Sequence, residues 1–383
     1  MKENWTYKKL TDVCDIQYGY PFDSACFSTS PDEGMPLIRI RDVKDGCTST
    51  YYKGDYPKEY IIHKGDYLVG MDGEFNIAPW KSEDALLNQR VCKVASKSED
   101  VCIGFLYRFL IKELKKIEEE TPFVTVKHLS AKRLNQVFLD IPSLPEQKRI
   151  VSELDLLQSI IDKQQAQLKE LDKLAQAVFY DMFGDPVENE KGWILKTMED
   201  VCLNIVDCPH STPKKSNRIT NYPCIRTSEL KDGSICWDSM QYLEEDEYII
   251  RIARLKPIAG DIVFGREGTI GDAVILPDGY SFSLGQRTML LRVDSSSISN
   301  VFLQRVILSE CVKKQIRMVN VSSTVPHVNI KDFKQFEIPV PPLSLQQSFA
   351  TKIESIEKQK AAISQSIAET HKLFDYTMDK YFG

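Results

Sequence analysis

No apolar run in this chain approaches the roughly 20 residues needed to cross a bilayer, so no transmembrane helix is expected. The first residues, Met1-Lys2-Glu3-Asn4-Trp5, lack the apolar stretch of a secretory signal. Ten cysteines are scattered without a single C-x-x-C pair, and they read as reduced thiols of a cytoplasmic protein. A basic excess is missing too. Lys and Arg number 49 against 55 Asp and Glu, a formal net charge of −6, so any nucleic-acid binding must rest on local features.

Catalytic signatures are equally scarce. The chain has no G-x-x-x-x-G-K-[ST] phosphate loop, no N-P-P-[YF] amino-methyltransferase motif and no H-E-x-x-H. The loop from Gly265 to Gly271 has G-x-x-G-x-x-G spacing, not a dinucleotide fingerprint. Cys202, Cys208 and His210 form C-x5-C-x-H, outside the usual zinc spacings. Asp207, Glu229 and Lys231 make a loose nuclease-like set in one half only, which reads as surface charge. The chain is expected to carry out no covalent chemistry itself.

What the sequence does contain is a duplication. At 383 residues, two domains are the first expectation. Asn4-Trp5 and Asp12-Val13-Cys14 are answered by Gly192-Trp193 and Asp200-Val201-Cys202. Pro36-Leu37-Ile38-Arg39 and Lys44-Asp45-Gly46 are answered by Pro223-Cys224-Ile225-Arg226 and Lys231-Asp232-Gly233. Gly65-Asp66, Gly70, Gln89-Arg90, Arg108 and Ile141-Pro142 find partners in Gly260-Asp261, Gly265, Gln286-Arg287, Arg305 and Ile338-Pro339. The offset drifts from 187 to 199, as loop insertions produce, and the ordered series marks an internal repeat.

Each repeat mixes short strand-like apolar runs with Gly, Pro and Asp turns, plus helical stretches near 103–120 and 300–318. A long helix follows each. Alternating steps of four and three from Ile150 give Leu154, Leu157, Ile161, Gln164, Leu168, Leu171, Ala175, Val178 and Met182. The same count from Phe349 gives Ile353, Ile356, Lys360, Ile363, Ile367, Thr370, Phe374, Thr377 and Tyr381. A period of 3.5 held this long predicts a coiled-coil seam. A helix of about 37 residues would be about 55 Å long. The alternative is that each helix packs on its own domain.

The motifs around these helices resemble the specificity subunit of Type I restriction–modification enzymes. Ile141-Pro142-Ser143-Leu144-Pro145-Glu146-Gln147-Lys148-Arg149-Ile150-Val151 is similar to that family's "IPLPPLxEQKRIV" helix start, and Ile338-Pro339-Val340-Pro341-Pro342-Leu343 opens the second copy. Met182-Phe183-Gly184-Asp185-Pro186 with Lys191-Gly192-Trp193 resembles the family's exit from the central helix. Ser322-Ser323-Thr324-Val325-Pro326-His327-Val328-Asn329 resembles its "GSTQPHIN" segment; the first half keeps only the outline at Phe123–Leu129.

The resemblance covers essentially the whole chain. It implies an α+β fold: two similar target-recognition domains joined by two long antiparallel coiled-coil helices, in an internal pseudo-two-fold repeat. The boundaries expected are 1–142 and 185–340 for the recognition domains, 143–184 and 341–383 for the helical spacers. It further implies a non-catalytic subunit that reads a bipartite, asymmetric site in double-stranded DNA. Such a subunit holds two methyltransferase subunits, with restriction motor-nuclease subunits added for cleavage. S-adenosylmethionine, ATP and Mg²⁺ would bind those partners, so no cofactor is expected here. The competing interpretation is a coiled-coil scaffold without DNA binding.

Arg suits guanine in the major groove, and Asn or Gln suits adenine. On that chemistry the DNA-contact candidates of the first domain are Arg39, Arg41, Asp72, Glu74, Asn76, Gln89 and Arg90, with Lys127 and His128 as weaker ones. Those of the second are Arg226, Ser228, Arg266, Glu267, Thr269, Gln286 and Arg287, with Ser322, Ser323, Thr324 and His327 toward phosphates or bases. An Arg beside a Gly turn is equally an ordinary solvated side chain, and the repeated Gln-Arg pairs could instead tie a strand to the fold.

Overall fold

Short aliphatic runs bounded by Gly, Asp and Asn turns build the same four-stranded antiparallel sheet twice. The first has the order Cys14–Tyr18, Val91–Ser96, Tyr67–Gly70, Asn76–Pro79. The second has the order Cys202–Asp207, Thr288–Val293, Ile262–Gly265, Ala273–Ile275. Register repeats as well: Val91 faces Gly70, and Thr288 faces Gly265. A two-stranded ribbon closes each copy, Thr6–Lys9 with Phe138–Ile141 and Ile194–Thr197 with Glu337–Val340. Each copy also holds one parallel pair, Met35–Ile38 beside Ala85–Leu87 and Pro223–Ile225 beside Ser283–Leu284. This computed structural model describes residues 5–122, 127–320 and 326–383.

The chain divides into two units, Met1–Gln165 with Gln365–Gly383, and Ala166–Ser364. Each contains one repeat and a portion of both long helices. In the first unit the helix Ile103–Glu120 buries Phe105, Leu106, Leu110 and Leu114 in the sheet's core. In the second the expected single helix is broken into Asn300–Leu308 and Glu310–Val319. Ser309 makes the break: its hydroxyl donates to the Val306 carbonyl (2.6 Å) and accepts from the Cys311 amide (3.3 Å), capping the following helix.

The long helices run Leu144–Phe183 and Leu343–Phe382. All of the seam positions read from the heptad count are buried or half-buried. Within the first unit, the Arg149 guanidinium donates to the Tyr381 hydroxyl (2.9 Å) and the Gln164 amide to the Ser366 hydroxyl (2.7 Å). Within the second, Phe179 meets Phe349, and Lys360 pairs with Asp172 at 2.8 Å. Early residues of one helix meet late residues of the other, so the helices are antiparallel. Lys360, the charged seam residue, is thus matched rather than stranded.

The helices also enter the domain cores. Ile150, Leu154, Met378 and Tyr381 belong to the first core; Ala175, Phe179, Phe183, Phe349, Ile353 and Ile356 belong to the second. Seam packing and domain packing are therefore both present. Phe105 packs against Phe382 with centroids 5.1 Å apart, and its counterpart Phe302 against Phe183 at 4.7 Å. The fully buried rings Phe105 and Phe302 contribute about 1.5–3 kcal/mol each. Gly184 ends the first long helix with φ +76°, and the Lys191 ammonium donates to the Asp181 and Met182 carbonyls at 2.6 and 3.0 Å.

Candidate nucleic-acid interface

In each unit, segments far apart in sequence are pinned where the strand ending at Gly70 or Gly265 leaves the sheet. The Met71 amide donates to the Arg90 carbonyl (2.9 Å), and the Leu129 amide to the Met71 carbonyl (2.7 Å). In the second unit the Arg266 amide donates to the Arg287 carbonyl (2.8 Å), and the Val328 amide to the Arg266 carbonyl (3.0 Å). Arg90 and Arg287 both adopt positive φ, +74° and +65°. That state is uncommon outside glycine and costs of order 1 kcal/mol, so the surrounding bonds must impose it.

The turn after the parallel strand joins this junction. A Cβ added at Gly285 would lie 2.1 Å from Cγ of Arg226, and the Thr269 hydroxyl donates to the Thr227 carbonyl at 3.0 Å. In the first unit a Cβ on Gly70 would approach Ile40 to 3.2 Å, and Lys44 reaches Glu74 at 2.6 Å.

The side chains fall into two groups. Facing solvent in the first unit are Arg39, which lies 5.9 Å from the Phe27 ring centroid, Gln89, and Arg41, 3.6 Å from Asp42. Arg90 and His128 are also exposed and converge on Asp72, at 3.5 and 2.5 Å. Glu74 is exposed, and the Asn76 amide donates to its carbonyl at 2.9 Å. Lys127 is turned back onto the Glu118 carbonyl at 2.6 Å.

In the second unit Arg287 is exposed and pairs with Glu267 at 3.1 Å. Thr269 and His327 are exposed, and the Gln286 amide donates to the His210 carbonyl at 2.6 Å. Ser228 donates to Glu229 at 2.7 Å. Arg226 and Arg266 are turned inward. Arg226 is clamped by the fully buried Glu229 at 2.6 and 3.1 Å. Arg266 pairs with Asp207 and donates to the Val328 carbonyl at 2.8 Å, with only 12% of its side chain exposed. Ser322, Ser323 and Thr324 lie outside the described residues.

Three acids matter more than the sequence suggested. Asp207, which reads as surface charge in the sequence, is the counter-ion of Arg266 and lies 3.3 Å from His210. Glu229 and Asp42 each accept the backbone amide three residues earlier, at Arg226 and Arg39, both at 2.8 Å. The shared R-x-x-[DE] spacing was the available signal. No comparable signal marks Asp207.

Burial pushes the Cys14 and Cys202 thiols up to about 12 and those of Cys224 and Cys311 up to about 11, so they stay protonated. Among the described residues no cluster of three or more His, Cys, Asp or Glu could hold a metal, and no helix is long and apolar enough to cross a membrane.

The chain is thus a duplicated α+β fold, with one polar loop junction in each unit and portions of two long helices packed against both cores. The Type I restriction modification DNA specificity domain matches residues 2–173 and again 190–370. The chain belongs to that family, as a non-catalytic specificity subunit. It is 29% identical to the Type I restriction enzyme EcoBI specificity subunit of Escherichia coli, over 99% of this chain and 86% of that protein. It is 24% identical to the MjaVIII specificity subunit of Methanocaldococcus jannaschii, over 93% and 86%. The crystal structure of the Type I S subunit from M. genitalium shares the fold at TM-score 0.61 and 12% identity, covering 99% of this chain and 96% of that one. A structure from work on Type I complex assembly and conformational transition matches at TM-score 0.58 and 16% identity, covering 99% and 97%.

Proposed function

We propose that the chain reads a bipartite, asymmetric site in double-stranded DNA, one half-site per repeat. The recognition domains span 1–142 and 185–340, and the long helices, 143–184 and 341–383, set the unread spacer between half-sites. The observation that carries this reading is the repeated junction: the same backbone bonds hold two sets of polar side chains that differ between copies. A common frame with unlike side chains is what two unlike half-sites require. Exposed Arg39, Arg41, Gln89, Arg90 and Arg287 are the leading contacts, because their donors face solvent. Arg226 and Arg266 act instead by holding the junction's shape.

In this reading the chain works in the cytoplasm and scaffolds two methyltransferase subunits, with restriction motor-nuclease subunits joining for cleavage. Methyl donor, ATP and Mg²⁺ are bound by those partners. The test is to map methylated adenines in the DNA of cells expressing the chain with its methyltransferase. Two unlike half-sites at a fixed spacing are expected. A palindrome, a contiguous motif or no added methylation would reject the proposal.

A further inference from the structure

Building on the DNA-recognition reading, we propose that Asp72 and Glu267 are positioning residues that occupy Arg90 and Arg287 until a DNA phosphate displaces them, and so suppress attachment to arbitrary sequence. The two pairs hold the same place in the two repeats. Each acid stands two residues after the last residue of a central strand, Gly70 or Gly265. Each arginine is held in left-handed backbone by the bond its carbonyl accepts from residue 71 or 266. Nε of Arg90 lies 3.5 Å from Asp72, and Nε of Arg287 lies 3.1 Å from Glu267.

The arginine side chains are 54% and 63% exposed, and the acids 27% and 34%. Ion pairs this exposed contribute little to stability, so stability does not account for pairing a strained arginine with an acid twice over. A carboxylate presents the same oxygen geometry to a guanidinium as a phosphate does. While it is in place, the arginine adds no net positive charge toward an approaching backbone. Non-specific affinity depends on that charge. At the right sequence, base contacts by neighbouring side chains bring a phosphate close enough to take over the guanidinium. In the first repeat His128, 2.5 Å from Asp72, keeps the released acid partnered. The chain's net charge of −6 fits a surface that binds DNA only where its cations are uncovered.

The experiment uses the complex with its methyltransferase subunits. Asp72→Asn and Glu267→Gln are titrated onto a duplex bearing the recognition site and onto an unrelated duplex of equal length, from about 50 to about 300 mM salt. Each variant should bind the unrelated duplex about 5–10-fold tighter at low salt, with a log–log salt slope steeper by about 0.9. Affinity for the specific site should change less, so discrimination falls. Adding Arg90→Gln to Asp72→Asn, or Arg287→Gln to Glu267→Gln, should restore the original slope. Should Asp72→Asn fail to fold, Glu267→Gln carries the test alone. Unchanged slopes, or equal weakening on both duplexes, would overturn the proposal while leaving DNA recognition standing. A wild-type complex that binds neither duplex would overturn both.

Discussion

Gln147 and Gln346 are fully buried and make the same contacts at the start of the two long helices. The side-chain carbonyl of each accepts an amide, from Cys102 or Ser299, at 2.8 Å. Each side-chain amide donates to a proline carbonyl, Pro142 at 2.9 Å or Pro341 at 2.8 Å. Cys102 and Ser299 are the residues that precede the domain helices Ile103–Glu120 and Asn300–Leu308. One side chain thus ties the closing ribbon, the domain helix and the long helix together. A satisfied polar group in a dry site fixes geometry more sharply than apolar packing does.

Replacing either glutamine by leucine keeps much of the volume and strands the amide and carbonyls it served. Each of Gln147→Leu and Gln346→Leu should cost on the order of 3 kcal/mol. A lowered urea midpoint, with faster hydrogen exchange at the Cys102 or Ser299 amide, is the expected outcome. Exchange in the other repeat should not change.

The helical seam is checked by a neighbouring pair of positions. Ile161 is 1% exposed and Leu156 is 61% exposed, on the same helix. Ile161→Asp buries an unpaired charge and should cost several kcal/mol. Leu156→Asp should stay within about 0.5 kcal/mol of wild type. Thermal melts followed by helical circular dichroism separate the two.

The long helices were legible because their signal is periodic and local: every heptad position counted from Ile150 and Phe349 is buried or half-buried. The repeat was legible because paired motifs such as Gln89-Arg90 and Gln286-Arg287 kept their order, and both landed on the same left-handed turn. The direction of individual arginines was not. Arg266 and Arg287 look alike in sequence, yet one is folded onto Asp207 with little of its side chain exposed and the other is exposed beside Glu267. That difference depends on Asp207, 59 residues from Arg266, which no local pattern announces. The break at Ser309 is not legible either, because a serine inside an apolar helical pattern can face solvent or bond the preceding turn as well as cap a new helix.

Assembly offers a third test. Leu174 and Leu373 are counterparts at an offset of 199, outside the seam, 48% and 52% exposed. Two equivalent apolar positions fit two copies of one partner. Native mass spectrometry with the methyltransferase should show two copies per chain. Leu174→Glu or Leu373→Glu alone should reduce this to one, and a one-to-one wild-type maximum would contradict the arrangement.

Arg266 and Arg287 allow the two roles at the junction to be separated. Removing the Arg266 side chain takes the guanidinium from Asp207, which keeps the exposed His210 imidazole at 3.3 Å, and leaves the Val328 carbonyl without that donor, both inside the second repeat. Breaking a largely buried pair in this way costs about 3–5 kcal/mol, somewhat less where solvent can enter. Arg266→Ala should therefore lower the melting temperature and weaken every DNA sequence alike. Arg287, at 63% exposure, has little to lose in stability, and Arg287→Ala should melt within about 0.5 kcal/mol of wild type. Its effect should appear on DNA. A phosphate contact would weaken all sequences and flatten the salt slope by about 0.9, whereas a bidentate base contact would cost about 1–3 kcal/mol at one position. A panel of single-base variants of the second half-site, titrated at two salt concentrations, measures both. If Arg266→Ala instead relaxed selectivity at a single base with stability unchanged, the inward-facing guanidinium would have to turn outward on binding, and Asp207 would become its resting partner rather than its structural one.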